Sequence, residues 1–462
     1  MLIRKFLPRR LRRIASMSRR QLGYELRANL WFSSVLYAIL AIMLAIVAFW
    51  LDFSVGLHEH VPTTFIIHHE FLYTVVSTLL AGVITLNAFT FNSTVVILTT
   101  FSGQFSPRMM LNFIADSKTQ HVLGIFNATF IYLMIAFFML NENLMDTYVA
   151  IPFASFALTL IAMGNFVFFI NHSVKWMQVP MLTHNMKVES QSKIMKTLGK
   201  DLEPFRTNEP NKTGEELSRK DAYTIYSDKP GFLQIVDYKK MIKNASKDDI
   251  IIRLEVRVGD FVTKGIPILS YWPQNGQEVN EYNYQNLLYF GNKKTEVQDL
   301  EFGVNKLKEI AIKAISNDDP ATAKNVIYQM TDLLLDIATI TRFAPYLTDD
   351  NNDLRLIIPN ESFDYYLNVS FAHILYYAKD DPILINDVLE ALTLLAESVE
   401  MKDIKCCWEF AEGIARRYNS GERFKYENKK FHSLLRQLAV SAEEIESYNE
   451  LENDINGGGY QL

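Results

Sequence analysis

No lysine or arginine occurs between Arg27 and Arg108, and none between Lys118 and Lys175. Within those two stretches lie four apolar runs, 30–51, 71–100, 122–140 and 149–170. Each is close to or above the roughly 18 to 20 residues that a helix needs to cross hydrocarbon. Barrel strands are excluded as spans, because a barrel needs alternating segments of about ten residues and these runs are apolar on most faces. The whole-chain average hides this: 462 residues, 49% hydrophobic, with net charge -6, would pass for an ordinary soluble protein.

Orientation follows from the basic residues that flank the runs. Residues 1–27 carry nine Arg and Lys against one acid, Glu25. Arg108 and Lys118 sit in the second connection and Lys175 at the last exit, whereas the loops Asp52 to Glu70 and Asn141 to Tyr148 hold acids and no Lys or Arg. Both termini are therefore expected in the cytoplasm of a multi-pass membrane protein. Ile3, Leu7, Leu11 and Ile14 form an apolar stripe opposite arginines, as in a helix lying on anionic lipid; an Arg-rich start would also suit a mitochondrial presequence. The long basic stretch followed by a full span does not have a signal-peptide layout.

Past Lys175 the chain reads as a helical linker and loop (173–219), a small β module (220–275), a helical domain (276–450) and a disordered tail (451–462), after a basic amphipathic segment (1–29) and a four-helix transmembrane domain (30–172). In the β module, Val256-x-Val258-Gly259-Asp260-x-Val262-x-x-Gly265-x-Pro267 sets two short strands about a tight Gly-Asp turn. That run resembles the barrel-sandwich hybrid of biotinyl and lipoyl domains and efflux adaptors. In carrier members of that fold a hairpin-tip lysine takes the cofactor, but Lys239 and Lys240 fall in what reads as a short helix. The module is expected to serve as a spacer or interaction surface. The fold class expected is thus membrane α-helical plus a cytoplasmic α+β region with a barrel-sandwich-like β module and a helical C-terminal domain, in which Asp319 or a neighbour caps a helix that starts at Pro320.

The second run carries the most suggestive chemistry. Thr78, Thr85, Asn92 and Thr99 recur every seven residues with Thr74, Ala81 and Ala88 between them, and Asn87 adds to a cluster with Thr90, Ser93 and Thr94. Such a seam either glues helices together through close packing and hydrogen bonds or lines a wetted path in a homo-oligomer. Next, Ser106 and Pro107 are expected to start an interfacial amphipathic helix within Gln104-Phe105-Ser106-Pro107-Arg108. His58, His60, His68 and His69, four of nine histidines, crowd one loop; they are weak metal ligands or pH sensors, since no motif spacing supports a site. Cys406 and Cys407 are adjacent and read as reduced packing residues. No Walker loop, nucleophile elbow, HExxH or dinucleotide fingerprint occurs, so neither enzyme activity nor a cofactor is expected. From Lys175 onward 45 acids face 35 bases, which argues against nucleic acid as a partner.

The run Gln104 to Arg108 with Asn112-Phe113, then Thr119-Gln120-x-Val122-Leu123-Gly124-x-Phe126, resembles the hallmark of an uncharacterised family of bacterial predicted membrane proteins with four spans and an "SQFSPR" motif. Further matches lie at Lys294-Thr295-x-x-Gln298-Asp299-x-x-Phe302-Gly303, Ile310-Ala311-x-x-Ala314-x-Ser316, Asn317-Asp318-x-Pro320 and Arg355-Leu356-x-x-Pro359-x-x-Ser362-Phe363. Lys294 stands where the family usually has Arg, and the loop before Pro320 looks shorter. The resemblance implies the four-span fold and leaves activity open. Two functions then remain: an oligomeric channel-like conduit with a cytoplasmic regulatory domain, or a non-conducting membrane scaffold. Reporter fusions after Leu51 and Leu140 are expected to read outside, and those after Gln104 and Lys175 inside; an inside signal from the His58 to His69 loop would overturn this topology.

Overall fold

The computed structural model describes residues 30–104, 113–114, 116–140, 145–196, 199, 202–211, 222–274, 279–295, 298–359, 361–379, 381–417 and 425–457. The basic segment 1–29 and Ser106, Pro107 and Arg108 lie outside them. The chain forms two units, Met1–Gln178 and Val179–Leu462.

Among the described residues the first unit holds four long helices, α1 (Leu30–Phe53), α2 (His69–Gln104), α3 (Ser117–Met139) and α4 (Ala150–Met177). All four are long and apolar enough to cross a membrane. α3 packs against each of the other three. Small side chains set the distance: Ala41, Ala45 and Ala48 are buried on α1, and Gly124 of α3 lies so near the Tyr37 ring that a Cβ there would approach it to 2.3 Å. Helix α2 runs two residues past the start and four past the end of its apolar stretch, and its first turn follows β1 (Ile67–His68), which pairs antiparallel with β2 (Thr147–Tyr148).

At that end of the bundle Asp52, 2% exposed, accepts hydrogen bonds from the amides of Val149 (3.0 Å), Ala150 (2.7 Å) and Ile151 (2.9 Å). Those amides open α4, and the first amides of a helix have no partner in the helix itself. The last turn of α1 thus caps α4, with the negative charge at the positive end of the helix dipole.

The second unit begins with α5 (Val179–Lys196) and continues through β3 (Arg206–Thr207), β4 (Tyr223–Tyr226), β5 (Gly231–Val236), α6 (Tyr238–Lys247), β6 (Ile250–Leu254), β7 (Phe261–Val262), β8 (Pro267–Pro273), α7 (Glu281–Gln285) and β9 (Leu288–Gly291). Then come α8 (Leu300–Ser316), α9 (Pro320–Ile340), β10 (Tyr346–Thr348), β11 (Leu354–Ile357), α10 (Phe363–Leu367), α11 (His373–Ala378), α12 (Pro382–Ala396), α13 (Met401–Ala415), α14 (Lys425–Ser441) and α15 (Ile445–Gly457). Asp319 caps α9, with Pro320 at its first position. Residues 451–457, read from the sequence as tail, continue α15, because Tyr448 and Leu451 on its inner face are buried.

The strands expected between 220 and 275 form, yet they do not close on one another. β4, β6 and β8 belong to a six-stranded sheet of order β3-β10-β11-β6-β8-β4, and β5 and β7 to a three-stranded sheet β7-β5-β9. The larger sheet recruits β11, parallel to β6, from about a hundred residues downstream. Ile250 to Leu254 are mostly buried and apolar, so β6 needs a strand on each side. Gly259 (φ 96°) and Gly265 (φ 85°) make the turns that the sequence marks.

Replacing Asp52 by Ala strands three α4 amides and should cost about 2 to 3 kcal/mol. Asp52→Asn, which keeps one acceptor, should lose less. Thermal unfolding of the detergent-solubilised protein measures both, and an unchanged midpoint for the Ala variant would remove Asp52 as an anchor.

Candidate functional site

On α2 the buried positions are Leu72, Val76, Val83, Thr90, Thr94 and Ile97. At about 100° per residue the seam Thr78, Thr85, Asn92, Thr99 lies about 180° round the helix from them, and all four are exposed. The seam therefore points away from α1, α3 and α4. Asn87 is half-buried and sits on the packed side, apart from the seam. The threonines satisfy their hydroxyls on their own helix: Thr78 donates to Thr74 O (2.8 Å), Thr85 to Ala81 O (3.0 Å) and Thr99 to Val96 O (2.8 Å). They do not join α2 to its three neighbours. Asn92 makes no hydrogen bond among the described residues. Gln104 is the last residue of α2.

His58 and His60 lie on the loop between α1 and β1, and His68 and His69 at the entry to α2. Each of the last two is held locally: His68 pairs with Thr147 in the ladder, and His69 packs on Tyr73 and Tyr148. No group of three or more His, Cys, Asp or Glu side chains is placed to hold a metal ion among the described residues. At the opposite end of the bundle Asp116 caps α3 through the Thr119 amide (3.0 Å) and meets His172 of α4 at 2.9 Å. Ser33 of α1 donates to Gln120 (3.0 Å) beside it.

The second unit contains a cleft of about 780 Å³ including its open mouth, lined by the turn after β6, the start of α8 and the start of α10. Its acids are Asp260, Asp299, Glu301 and Glu361, and its bases Arg206 and Arg257. Arg257 lies over the Tyr365 ring at 5.1 Å, faces Asp260 at 3.8 Å and reaches Glu361 at 4.0 Å. Arg206 pairs with Glu203 at 2.9 Å. The hydroxyls of Tyr365 and Tyr366 donate to Glu301 and Glu361. Asp299 caps α8, its Oδ1 accepting from the Phe302 amide at 3.2 Å, while Oδ2 is buried without a partner. Gly259 makes room for that oxygen, since a Cβ there would come within 2.6 Å of it. Thr341 Oγ1 and Arg206 Nε, both on cleft-lining residues, are likewise buried and unpartnered.

Burial pushes the Asp299 carboxyl up to about 7, opposed by Lys294 and reinforced by Glu301. Burial also raises Glu361, against the Tyr366 hydroxyl and the Arg257 guanidinium. None of these residues stood out in the sequence as a site, although Asp299 lies in the run Gln298-Asp299-x-x-Phe302-Gly303. The rest of that run is structural. Gln298 exchanges both hydrogen bonds with the Val236 backbone (2.7 and 3.0 Å), and Gly303 lets α8 approach α5, where a Cβ would meet Ser190 at 2.5 Å. Arg355 binds Asp349 (2.7 Å) and Asp249 (2.8 Å), tying the β10–β11 turn to the start of β6. Cys406 and Cys407 are free thiols, and burial pushes both up.

Residues 27–393 match the family model described as "Predicted membrane protein (DUF2254)". The chain belongs to that family. Uncharacterised proteins of Mycobacterium bovis and Mycobacterium tuberculosis are 26% identical to it over 332 residues, 69% of this chain and 62% of theirs. The DUF2254 chain thus spans less than two thirds of the length of these relatives. No solved structure matches it.

An acid whose folded pKa is raised binds its proton more tightly folded than unfolded, so stability falls as pH rises from about 4 to about 7. Asp299→Asn keeps a capping side chain and removes the titration. Denaturant unfolding of the variant should lose that part of the decline; an unaltered pH profile would show that Asp299 ionises freely in the folded protein.

Proposed function

We propose that this DUF2254 protein is an oligomeric, channel-like conduit for ions or small solutes in the bacterial inner membrane, lined by α2, with both termini and the second unit in the cytoplasm. One observation supports the reading above the others: Asn92 sits in a span on the face opposite the helix's packed side, its side-chain amide with no hydrogen-bond partner among the described residues. An amide facing lipid is costly. A closed ring of copies with the α2 helices about its axis would give that amide, and the threonines above and below it, water. The same ring turns outward the apolar residues exposed on α1 and α4, such as Ile46, Trp50, Phe156 and Met163.

A second reading, a non-conducting scaffold that anchors the second unit, draws on the threonine bonds. A hydroxyl already given to an i−4 carbonyl asks little of its surroundings, so most of the seam tolerates lipid. In either case the strands of 220–275 act as a rigid spacer or interaction surface, within a regulatory domain in the conduit and an interaction domain in the scaffold, and the basic segment 1–29 lies on anionic lipid.

Replacing Asn92 or Thr85 by Leu separates the two readings. In a wetted path, assembly survives and solute flux through reconstituted vesicles falls, because an apolar constriction dewets. If the seam instead joins copies by packing, oligomers weaken, each lost hydrogen bond contributing about 0.6 kcal/mol and overpacking about 1 to 3. Intact wild-type oligomers that conduct nothing across the voltages, pH values and ions tested would leave the scaffold.

A further inference from the structure

The cleft of the second unit holds three buried polar atoms that the protein leaves without partners: Asp299 Oδ2, Thr341 Oγ1 and Arg206 Nε. Asp299 is 8% exposed and Thr341 7%. A buried polar group left unsatisfied costs about 1 to 3 kcal/mol, more when charged, so native proteins keep few of them and each calls for a cause. Of the nine such atoms in the second unit among the described residues, these three fall on residues that line one cleft. The backbone is also held open for one of them, because Gly259 presents no Cβ to Asp299.

The charges indicate what would satisfy them. Four carboxylates face two guanidinium groups, and both guanidiniums already have acidic partners, Arg206 with Glu203 and Arg257 with Asp260 and Glu361. The Glu301 carboxylate takes a hydrogen bond from the neutral Tyr365 hydroxyl among the described residues, while Lys294 near Asp299 and Lys308 near Glu301 act on these acids through charge. The unmet demand at Asp299 and Glu301 is for a donor with positive charge, and at Arg206 Nε for an acceptor. A metal ion fits poorly, since no three acids, His or Cys among the described residues come together in a metal-holding group and Arg257 stands between the acids. An anion would meet the excess of negative charge. An ammonium group, by contrast, brings three N–H donors in a compact cation, and tyrosine faces favour it. Tyr238, Tyr365 and Tyr366 line the same cleft.

We propose that this cleft is a binding site for a small molecule bearing a primary ammonium group, which Asp299 and Glu301 receive while Thr341 accepts or donates one further hydrogen bond. The buried Arg206 Nε suits an acceptor at the far end of such a ligand. The site rests on these orphaned groups and not on whether the chain conducts.

The test is calorimetric titration of the full-length protein in detergent with 1,4-diaminobutane, with the zwitterion 4-aminobutanoate and with inorganic phosphate. Saturable binding of either amine is expected, weakened about tenfold or more by Asp299→Asn and by Glu301→Gln, the loss that goes with one charge-assisted hydrogen bond. Tighter binding of 4-aminobutanoate than of the diamine assigns Arg206 to a carboxylate; the reverse assigns a second amine to the acids. Asn is an N-cap as good as Asp, so α8 should survive in Asp299→Asn, and far-UV circular dichroism checks this. Thr341→Val, which leaves every charge in place, should weaken binding several-fold and gives a reading if an acid variant misfolds. Absence of binding by both amines at about 10 mM, equal affinity in wild type and Asp299→Asn, or binding of phosphate alone would overturn the proposal.

Discussion

Inside hydrocarbon a backbone amide or carbonyl has no water to turn to, and this one constraint accounts for most of the polar side chains in the four spans. Asp52 supplies acceptors to three amides at the start of α4. Asn165 donates to Val122 O at 3.0 Å, joining α4 to α3. Thr94, Thr129 and Thr159 return their hydroxyls to carbonyls one turn back. Each of these groups is tied to backbone, whereas the buried hydroxyls of Thr90 and Ser173 have no partner among the described residues. Asn92 is outside this scheme, which is why it carries the functional reading.

In the second unit the comparable constraint is that sheet edges and helix starts need partners drawn from distant sequence. Arg355 satisfies it electrostatically. Burial opposes ionisation of Asp349, yet the Arg355 guanidinium, the Ser246 hydroxyl and two backbone amides hold that carboxyl below the usual range. Gln298 does the same for a strand end with neutral hydrogen bonds to Val236. The motif positions Gln298, Gly303 and Arg355 therefore do packing and hydrogen-bonding work, and Asp299 combines a cap with a buried oxygen that has no partner among the described residues.

The four spans were legible because membrane crossing is a local property: a run of apolar residues of the right length, free of charge, has no other stable use. The seven-residue recurrence of Thr78, Thr85, Asn92 and Thr99 was equally plain, but which way it faced was not, since α2 is apolar on most sides and only the positions of α1, α3 and α4 define an inside. The Gly259 and Gly265 turns and the Pro320 helix start could be read from single residues whose backbone preferences are strong. Sheet membership could not. Residues 354–357 read Leu-Arg-Leu-Ile, a short run whose burial depends on β6 lying alongside. The cleft was hidden for the same reason, its acids coming from residues 260, 299, 301 and 361. Asp52 looked like the end of an apolar run, and only the fold supplies the three amides that explain it.

Within the second unit the cleft is tied to α5 by close helix packing. Asp299 fixes the first turn of α8, and α8 lies against α5 so closely that Gly303 and Ser190 admit no added carbon. Lys187 of α5 pairs with Asp332 of α9, and Asn325 of α9 donates to Thr183 at 3.2 Å. α5 is thus seated on the two helices that begin beside the cleft and at Pro320. One residue, Gln178, separates it from the end of α4. A ligand that neutralised Asp299 would change the charge at the N-terminus of α8, where the helix dipole makes charge count most. Packed helices shift between discrete arrangements and do not deform continuously. A change in how α8 seats α5 would therefore move α5 as a whole helix.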